Sequence, residues 1–397
     1  MVIKMDITVK PGAFRGCVTA ISSKSFAHRM IMAAALADKK TKINLNAYSE
    51  DIDATIACIK ALGAEVEKND RYIVVYPIKE KGKSGVVLDC GESGSTARFI
   101  LPVAAMVCNS FELIGRGRLP QRPFSPLVSQ MSLHGIAADN DKLPMKVIGR
   151  LSGGRYKLAG NISSQYITGL MLALPLCEEE SEIILTSPLE SSAYVDITIE
   201  VLSQFGIKIY KTSDGFKVMP GKYISPEEIT VEGDWSNGAF WVAADKICGG
   251  VRVDGLNMDS LQGDKAIMTV AGADVIDAKE IPDLVPILSV IACAKCGRTE
   301  IINAGRLRLK ESDRLKAVSQ TLSALGADIQ EKEDGLVING TGKLKGGECD
   351  SFGDHRIVMS CAIASCICDG NVIIKGAEAV NKSYPGFFED FNNLKIK

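Results

Sequence analysis

RLRLKESDRLKAVSQTLSALGADIQEKEDGLVING, residues 306–340, holds one unit of the fold and one candidate site. Leu315, Val318, Leu322 and Leu325 recur at helical spacing, with Ser312 as a natural N-cap and Gly326 as a natural stop. Upstream, Ile301-Ile302 reads as the end of a strand, and downstream two β-like runs flank the tight polar turn Asp334-Gly335. Four cations and two carboxylates fall within Arg306–Leu315. The pattern puts Lys310 and Glu311 in a strand-to-helix turn and Arg314 in the first helical turn. A cation there opposes the helix dipole at a cost of about 0.3–1 kcal/mol if exposed. An anionic ligand reverses that sign, because free backbone N–H groups and the dipole both attract negative charge. The stretch reads as a phosphate or carboxylate site with an acid/base residue beside it, or else as a solvated charged loop.

The same pattern recurs along the chain: a helix end, a Gly, then a short β-like run. It is found at IKALGAEV (59–66), MSLHGIAA (131–138), LSQFGIKI (202–209), VAGADVID (270–277) and LSALGADI (322–329). Three copies continue into expected hairpins, at 67–77, 211–220 and 331–340. The glycines, Gly63, Gly135, Gly206, Gly272 and Gly326, act as C-caps. Their spacing of roughly 66 residues predicts about six α+β units in the chain, suiting two domains of three units each. The stretch 220–234 is the best candidate for a crossover between halves.

Composition narrows the function. The 397 residues carry a formal net charge of −2, which argues against a nucleic-acid or membrane-surface protein, so any basic site has to be local. The start lacks a signal-peptide apolar region, and the longest apolar runs fall short of a bilayer span. The 12 cysteines are scattered through apolar stretches, and Cys293-x-x-Cys296 has no second pair, so zinc is not expected. Reduced core cysteines imply a cytosolic location.

Several other expected helix starts carry polar or cationic groups: Ser23-Lys24-Ser25 with Arg29, the GESGST run (91–96) with Arg98, Ser163-Ser164-Gln165, Ser191-Ser192 with Tyr194, and Asp354-His355-Arg356. Ser and Asp are ordinary N-caps, and GESGST lacks the spacing of a nucleotide P-loop. Cations, however, belong at the other end of a helix on dipole grounds. If related units point these starts at a common cleft, that cleft suits ligands with several phosphate and carboxylate groups. Asp283, just ahead of an apolar helix, and Glu311 are carboxylates suited to general acid/base work there, with N-capping and ion pairing as the plainer readings.

These segments, in order, resemble the 5-enolpyruvylshikimate-3-phosphate synthase family. The resemblance rests on SKSFAHR (23–29), ESGSTAR (92–98), LPQRP (119–123), SSQYITGLMLALPL (163–176), SSAYVDIT (191–198), VEGD (231–234), IPD (281–283), RLRLKESDRL (306–315), DHRIVMS (354–360) and NKSYPGFFED (381–390). It implies an α/β fold: a two-lobed inside-out α/β barrel, each lobe three repeats of a mixed helix and strand unit. Residues 1–22 and 232–397 would form a discontinuous lower lobe and 23–231 the upper one, with the active site in the cleft between them.

The implied reaction moves the enolpyruvyl group of phosphoenolpyruvate to the 5-hydroxyl of shikimate 3-phosphate, with no metal or organic cofactor, in a monomer. By motif, Lys24 would touch both substrates. Ser25, Arg29, Ser163, Ser164, Gln165, Ser191, Tyr194 and Lys310 would bind shikimate 3-phosphate, and Asp283 would act as base toward its 5-hydroxyl. Gly94, Arg122, Arg314, Arg356 and Lys382 would surround phosphoenolpyruvate. Glu311 would exchange the proton at the methylene carbon, with Lys24 the competing candidate. Glyphosate is expected to inhibit, since Gly94 leaves room where a side chain would intrude.

Three positions depart from the usual family pattern. Glu92 stands where Asn is common, and a carboxylate there repels phosphoenolpyruvate unless turned away or paired. Arg306 stands where some members place Asn, and Ile21-Ser22 replaces the usual Pro-Gly. The alternatives are the sister enzyme acting on UDP-N-acetylglucosamine and a non-catalytic anion-binding protein. The first usually carries a reactive Cys in the loop matching 116–123, which has none here. Joint retention of Lys24, Asp283 and Glu311 argues against the second.

Overall fold

The computed structural model describes residues 5–396. The chain forms two compact units, one holding Ser22–Glu232 and the other the chain up to Ile21 and from Gly233 onward. Each unit has its own apolar core.

The Ser22–Glu232 unit has six helices: α1 (Lys24–Leu36), α2 (Glu50–Leu62), α3 (Gly94–Val107), α4 (Ser125–Ser132), α5 (Ser164–Ala173) and α6 (Ser192–Gln204). Helices α1, α3 and α5 are buried on nearly every side, including all of 26–35, 96–107 and 166–173. A helix without a polar face has to lie inside. Helices α2, α4 and α6 bury one stripe each. The strands alternate, as in Tyr72–Tyr76 and Met145–Gly149, so each sheet turns one face to the core and one outward. Helices therefore sit inside this unit and sheets outside.

One strand order is used three times. A parallel pair leads into an antiparallel hairpin: Glu228–Thr230, Thr41–Asn44, Tyr72–Tyr76, Glu65–Lys68. Val86–Asp89, Ser110–Ile114, Met145–Gly149, Ile136–Ala138 repeats it, as does Arg155–Ala159, Ser181–Ser187, Gly215–Val218, Ile209–Lys211. The hairpin at 136–149 is one that the sequence pattern did not reveal, because its strands are joined by a longer connection than the other two.

Close helix packing is set by two residues. Pro102 inside α3 has no N–H for the Arg98 carbonyl. Gly169 of α5 packs onto that carbonyl, where a Cβ would lie 2.3 Å from the oxygen. Only glycine permits this approach.

The second unit contains α7 (Trp235–Cys248), α8 (Ile267–Val270), α9 (Val285–Ala294), α10 (Arg314–Ala324), α11 (His355–Ala364) and α12 (Phe387–Leu394). Residues 285–293 and 355–364 are fully buried, so α9 and α11 are interior helices too. The sheet Val275–Asp277, Cys296–Ile302, Gly335–Thr341, Asp328–Lys332 has the same order as the three above. Two smaller sheets pair Gly347–Asp350 and Ile7–Val9 with Val372–Lys375, and Gly16–Thr19 with Val251–Asp254. A parallel strand pair thus occurs six times among the described residues, matching the six expected repeats. The sheets are open, and none among the described residues closes on itself. No described helix is long and apolar enough to cross a membrane.

All five repeat glycines have left-handed backbones, with φ from +78° to +111°. Gly63 caps α2 directly, its N–H donating to the Ile59 and Lys60 carbonyls. One expected cap is corrected: α10 is capped by Asp313, whose side chain accepts from the Lys316 N–H, and not by Ser312. Ser312 Oγ instead donates to Asp354 at 3.0 Å, a buried partner distant in sequence.

Candidate active site

In the Ser22–Glu232 unit the candidate residues gather at helix starts. Lys24 is the first residue of α1 behind Ser23, and its Nζ pairs with Asp51 Oδ2 at 2.7 Å. One turn on, Arg29 is buried, and its guanidinium donates to Ser25 O, Tyr194 O, Thr198 Oγ1 and Thr168 Oγ1 at 2.6–3.3 Å. It also lies over the Phe99 ring at 4.9 Å. Burial pulls the Arg29 pKa down, yet a guanidinium keeps its proton in such a site. Arg29 thus ties the start of α1 to the start of α6, where Ser191 is buried with a left-handed backbone and Tyr194 is half-buried.

Ser163 caps α5, its side chain accepting from the Gln165 N–H at 3.3 Å. Ser164 is buried behind it. Gln165 Oε1 accepts from Arg98 at 2.8 Å and its amide donates to Ser95 at 3.0 Å, joining α5 to α3. Gly94 opens α3, and a Cβ there would lie 2.4 Å from the Arg122 guanidinium and 2.8 Å from that of Arg98. Room above Gly94 is therefore occupied by cations. Beneath these starts runs a buried chain of hydrogen bonds: His28 to Thr55 (2.6 Å), Thr55 to Thr96 (2.7 Å) and Thr96 to Ser93 (2.8 Å), the α3 cap. Burial, with Lys24 and Arg29 nearby, holds His28 well below the usual imidazole range, so it is neutral.

The second unit holds a denser cluster. Asp283 sits within the tight turn Pro282–Leu284 that feeds α9, and it caps no helix. Its carboxylate accepts from Arg314 at 2.7 Å and Arg356 at 3.0 Å, with Lys310 Nζ at 3.5 Å. Arg314, the first residue of α10, is about 1 % exposed and meets Glu311 and Asp354 as well, each at 2.7 Å. Burial lowers the Arg314 pKa, but Asp354, Glu311 and Asp283 together hold it well above its usual value. Burial raises the Asp354 pKa, and Arg314 and His355 outweigh it, leaving the carboxylate low. Lys310 is lowered by burial, partly offset by Asp283. Lys382 Nζ donates to the Gly353 carbonyl at 2.8 Å, beside the start of α11.

Two of the departures are explained by contacts. The Glu92 carboxylate turns onto Gly117, where a Cβ would come within 2.4 Å of it. Arg306 donates to the Lys279 carbonyl at 2.6 Å. Sequence reading missed Asp51, Ser236 and Asp264. Asp51 was hidden among three acidic residues that suit any first helical turn, and the other two lie in no motif that signals charge handling.

Open sheets outside buried helices, with arginines, lysines and carboxylates gathered at the helix starts, define a class of protein built to handle small polyanions. The sequence profile described as EPSP synthase (3-phosphoshikimate 1-carboxyvinyltransferase) matches residues 9–279 and 267–391. The chain belongs to the EPSP synthase family. It is 42% identical over 422 aligned positions to a 3-phosphoshikimate 1-carboxyvinyltransferase of Clostridium novyi, covering 98% of this chain and 97% of that protein. With the enzyme of the same name from Clostridium acetobutylicum it shares 41%, again over 98% of this chain and 97% of the relative. The solved EPSP synthase of Acinetobacter baumannii superposes with a TM-score of 0.82 at 25% identity, over 99% of this chain and 98% of that one.

Proposed function

We propose that this enzyme transfers the enolpyruvyl group of phosphoenolpyruvate to the 5-hydroxyl of shikimate 3-phosphate, releasing phosphate, in the shikimate pathway of aromatic amino acid biosynthesis. What carries the reading is the family relationship along the whole chain, with Lys24, Asp283 and Glu311 all present.

Asp283 takes the proton of the 5-hydroxyl, and Glu311 delivers one to the methylene carbon of phosphoenolpyruvate, with Lys24 the other candidate donor. Protonation builds positive charge on the neighbouring carbon, and the hydroxyl oxygen attacks there. Loss of that methyl proton and of phosphate then regenerates the enol ether. Lys24, Arg122, Arg314, Arg356 and Lys382 hold the carboxylate and phosphate of phosphoenolpyruvate, with Gly94 giving them access. Ser25, Arg29, Ser163, Ser164, Gln165, Ser191, Tyr194 and Lys310 hold shikimate 3-phosphate.

The cluster geometry supports this division of labour. Arg314, Arg356 and Lys310 converge on Asp283. Substrate anions offer these cations new partners and release carboxylate oxygens for the hydroxyl proton. The reading includes a cytoplasmic monomer that needs no metal or organic cofactor.

A phosphate-release assay tests it. Phosphate should form only when phosphoenolpyruvate and shikimate 3-phosphate are both present, and Lys24→Met should abolish turnover while the circular dichroism spectrum is kept. Absence of release from the wild-type protein with both substrates overturns the proposal.

A further inference from the structure

Ser236 lies between Arg356 and Asp264, hydrogen-bonded to both. Arg356 Nη2 donates to Ser236 Oγ at 2.8 Å, while Nη1 lies 3.5 Å from the Ser236 carbonyl and 3.3 Å from that of Asp283. Ser236 Oγ in turn donates to the carboxylate of Asp264, which is buried. The turn carrying Asp264 (Gly263–Ala266) is fixed against the start of α7 by Gln262, which accepts from the Trp235 N–H at 3.1 Å and donates to the Gly233 carbonyl at 2.8 Å. Ser236, the second residue of α7, is thereby held between Asp264 and Arg356.

A hydroxyl has one O–H and two lone pairs. With its proton given to Asp264, the Ser236 oxygen can only accept from the guanidinium. We propose that Asp264 is a positioning residue for the transferase: its carboxylate fixes Ser236 as an acceptor, and Ser236 so fixed aims Arg356 at the phosphoenolpyruvate anion. This rests on the reading of Arg356 as a phosphoenolpyruvate ligand.

The relay is sensitive to protonation because of what surrounds it. Asp264 faces Ser236 and the α7 cap Asp234, Asp283 from the turn before α9, and Arg356 from α11. Burial first, then the Asp283 charge, raises the Asp264 carboxyl to about 6, with Arg356 and the Ser236 hydrogen bond opposing. Once protonated, Asp264 can donate to Ser236 Oγ, which turns the serine proton toward the guanidinium, donor against donor. Positioning is therefore present above that value and fades as pH falls through it.

The test is a double-mutant cycle with Ser236→Ala and Asp264→Leu, reading kcat and KM for each substrate from pH 5 to 8. Each single variant should raise KM for phosphoenolpyruvate by about tenfold, the loss expected for one hydrogen bond to a charged group. KM for shikimate 3-phosphate should stay within about twofold. The double variant should be no worse than Ser236→Ala alone, because Asp264 acts only through Ser236. Asp264→Asn keeps an acceptor for the serine proton and cannot be protonated, so it should rescue much of the KM at pH 7. The wild-type to Asp264→Asn ratio of kcat/KM should bend near pH 6, with the titration of phosphoenolpyruvate itself cancelling in that ratio.

Additive single effects, or a ratio flat from pH 5 to 8, overturn the relay. If Asp264→Leu does not fold, Ser236→Ala and Asp264→Asn supply the same two readouts. Arg356→Ala separates the two readings. If it leaves KM for phosphoenolpyruvate unchanged, the ligand assignment falls and the relay with it. If it raises that KM while the cycle is additive, the assignment stands and the relay alone is overturned.

Discussion

Arg314→Met removes the cation that three carboxylates share. Asp283 keeps Arg356 and Lys310 as neighbours, and Glu311 is partly exposed, so neither loses all compensation. Asp354 is fully buried and loses its guanidinium partner, retaining the Ser312 hydroxyl and the Arg356 N–H as donors. The loss is thus close to that of one buried ion pair with a partner removed, about 3–5 kcal/mol, and not three times that. For a domain of this size the melting temperature should fall by roughly 6–20 °C at pH 7. The pH dependence also changes sign. In the wild type the folded pKa of Asp354 is depressed, so its contribution is present above the unfolded carboxyl value of about 3.9 and is lost as pH falls through the folded one. In the variant burial acts without Arg314, the carboxyl rises, and part of the stability returns as pH drops from 7 toward about 5. Calorimetric scans at the two pH values measure this. A melting temperature within about 2 °C of wild type at pH 7, or a deficit that does not shrink at pH 5, refutes the reasoning.

Gly169→Ala drives a methyl group against the Arg98 carbonyl, so thermal unfolding should show a loss of about 1–3 kcal/mol, and KM for shikimate 3-phosphate should rise because α5 carries Ser163 and Ser164. Gly94→Ala pushes a methyl group against the buried guanidinium groups of Arg122 and Arg98 and has to displace them, so KM for phosphoenolpyruvate should rise; glyphosate, expected to inhibit the wild type, should inhibit this variant less in a dose titration. His28 is neutral when folded and its pKa is depressed, so the unfolded chain binds the extra proton first; stability should decline as pH falls below about 6.5, and His28→Asn should remove that part of the slope in chemical-denaturation curves.

The fold was legible wherever a local signal repeats. Gly63, Gly135, Gly206, Gly272 and Gly326 mark helix ends because a left-handed backbone there demands a small residue. The apolar runs in α3 and α11 were legible only as too short to span a bilayer, and that these helices and α9 lie inside their units is seen in their burial on nearly every side. The hairpin at 136–149 carries no short turn signal and was not legible. At the site, cations at helix starts stood out because the dipole disfavours them. Their partners did not. Asp51 for Lys24, Asp264 behind Ser236, and Ser312 paired with Asp354 rather than capping α10 are tertiary contacts, set by packing between elements far apart in sequence.

Ile7 pairs with Ile374, and Gly16 with Val251. Everything from Ser22 to Glu232 belongs to the other unit. On the ribosome, the inserted unit has all its residues before either of those N-terminal strands has a partner. At roughly 5–20 residues per second, Ile7 waits on the order of 20–70 s for its own. Over that interval the two short strands are bare edges open to wrong pairing, while the inserted unit is free to fold. The order of synthesis thus makes the Ser22–Glu232 unit the early folder and leaves its host to be completed last.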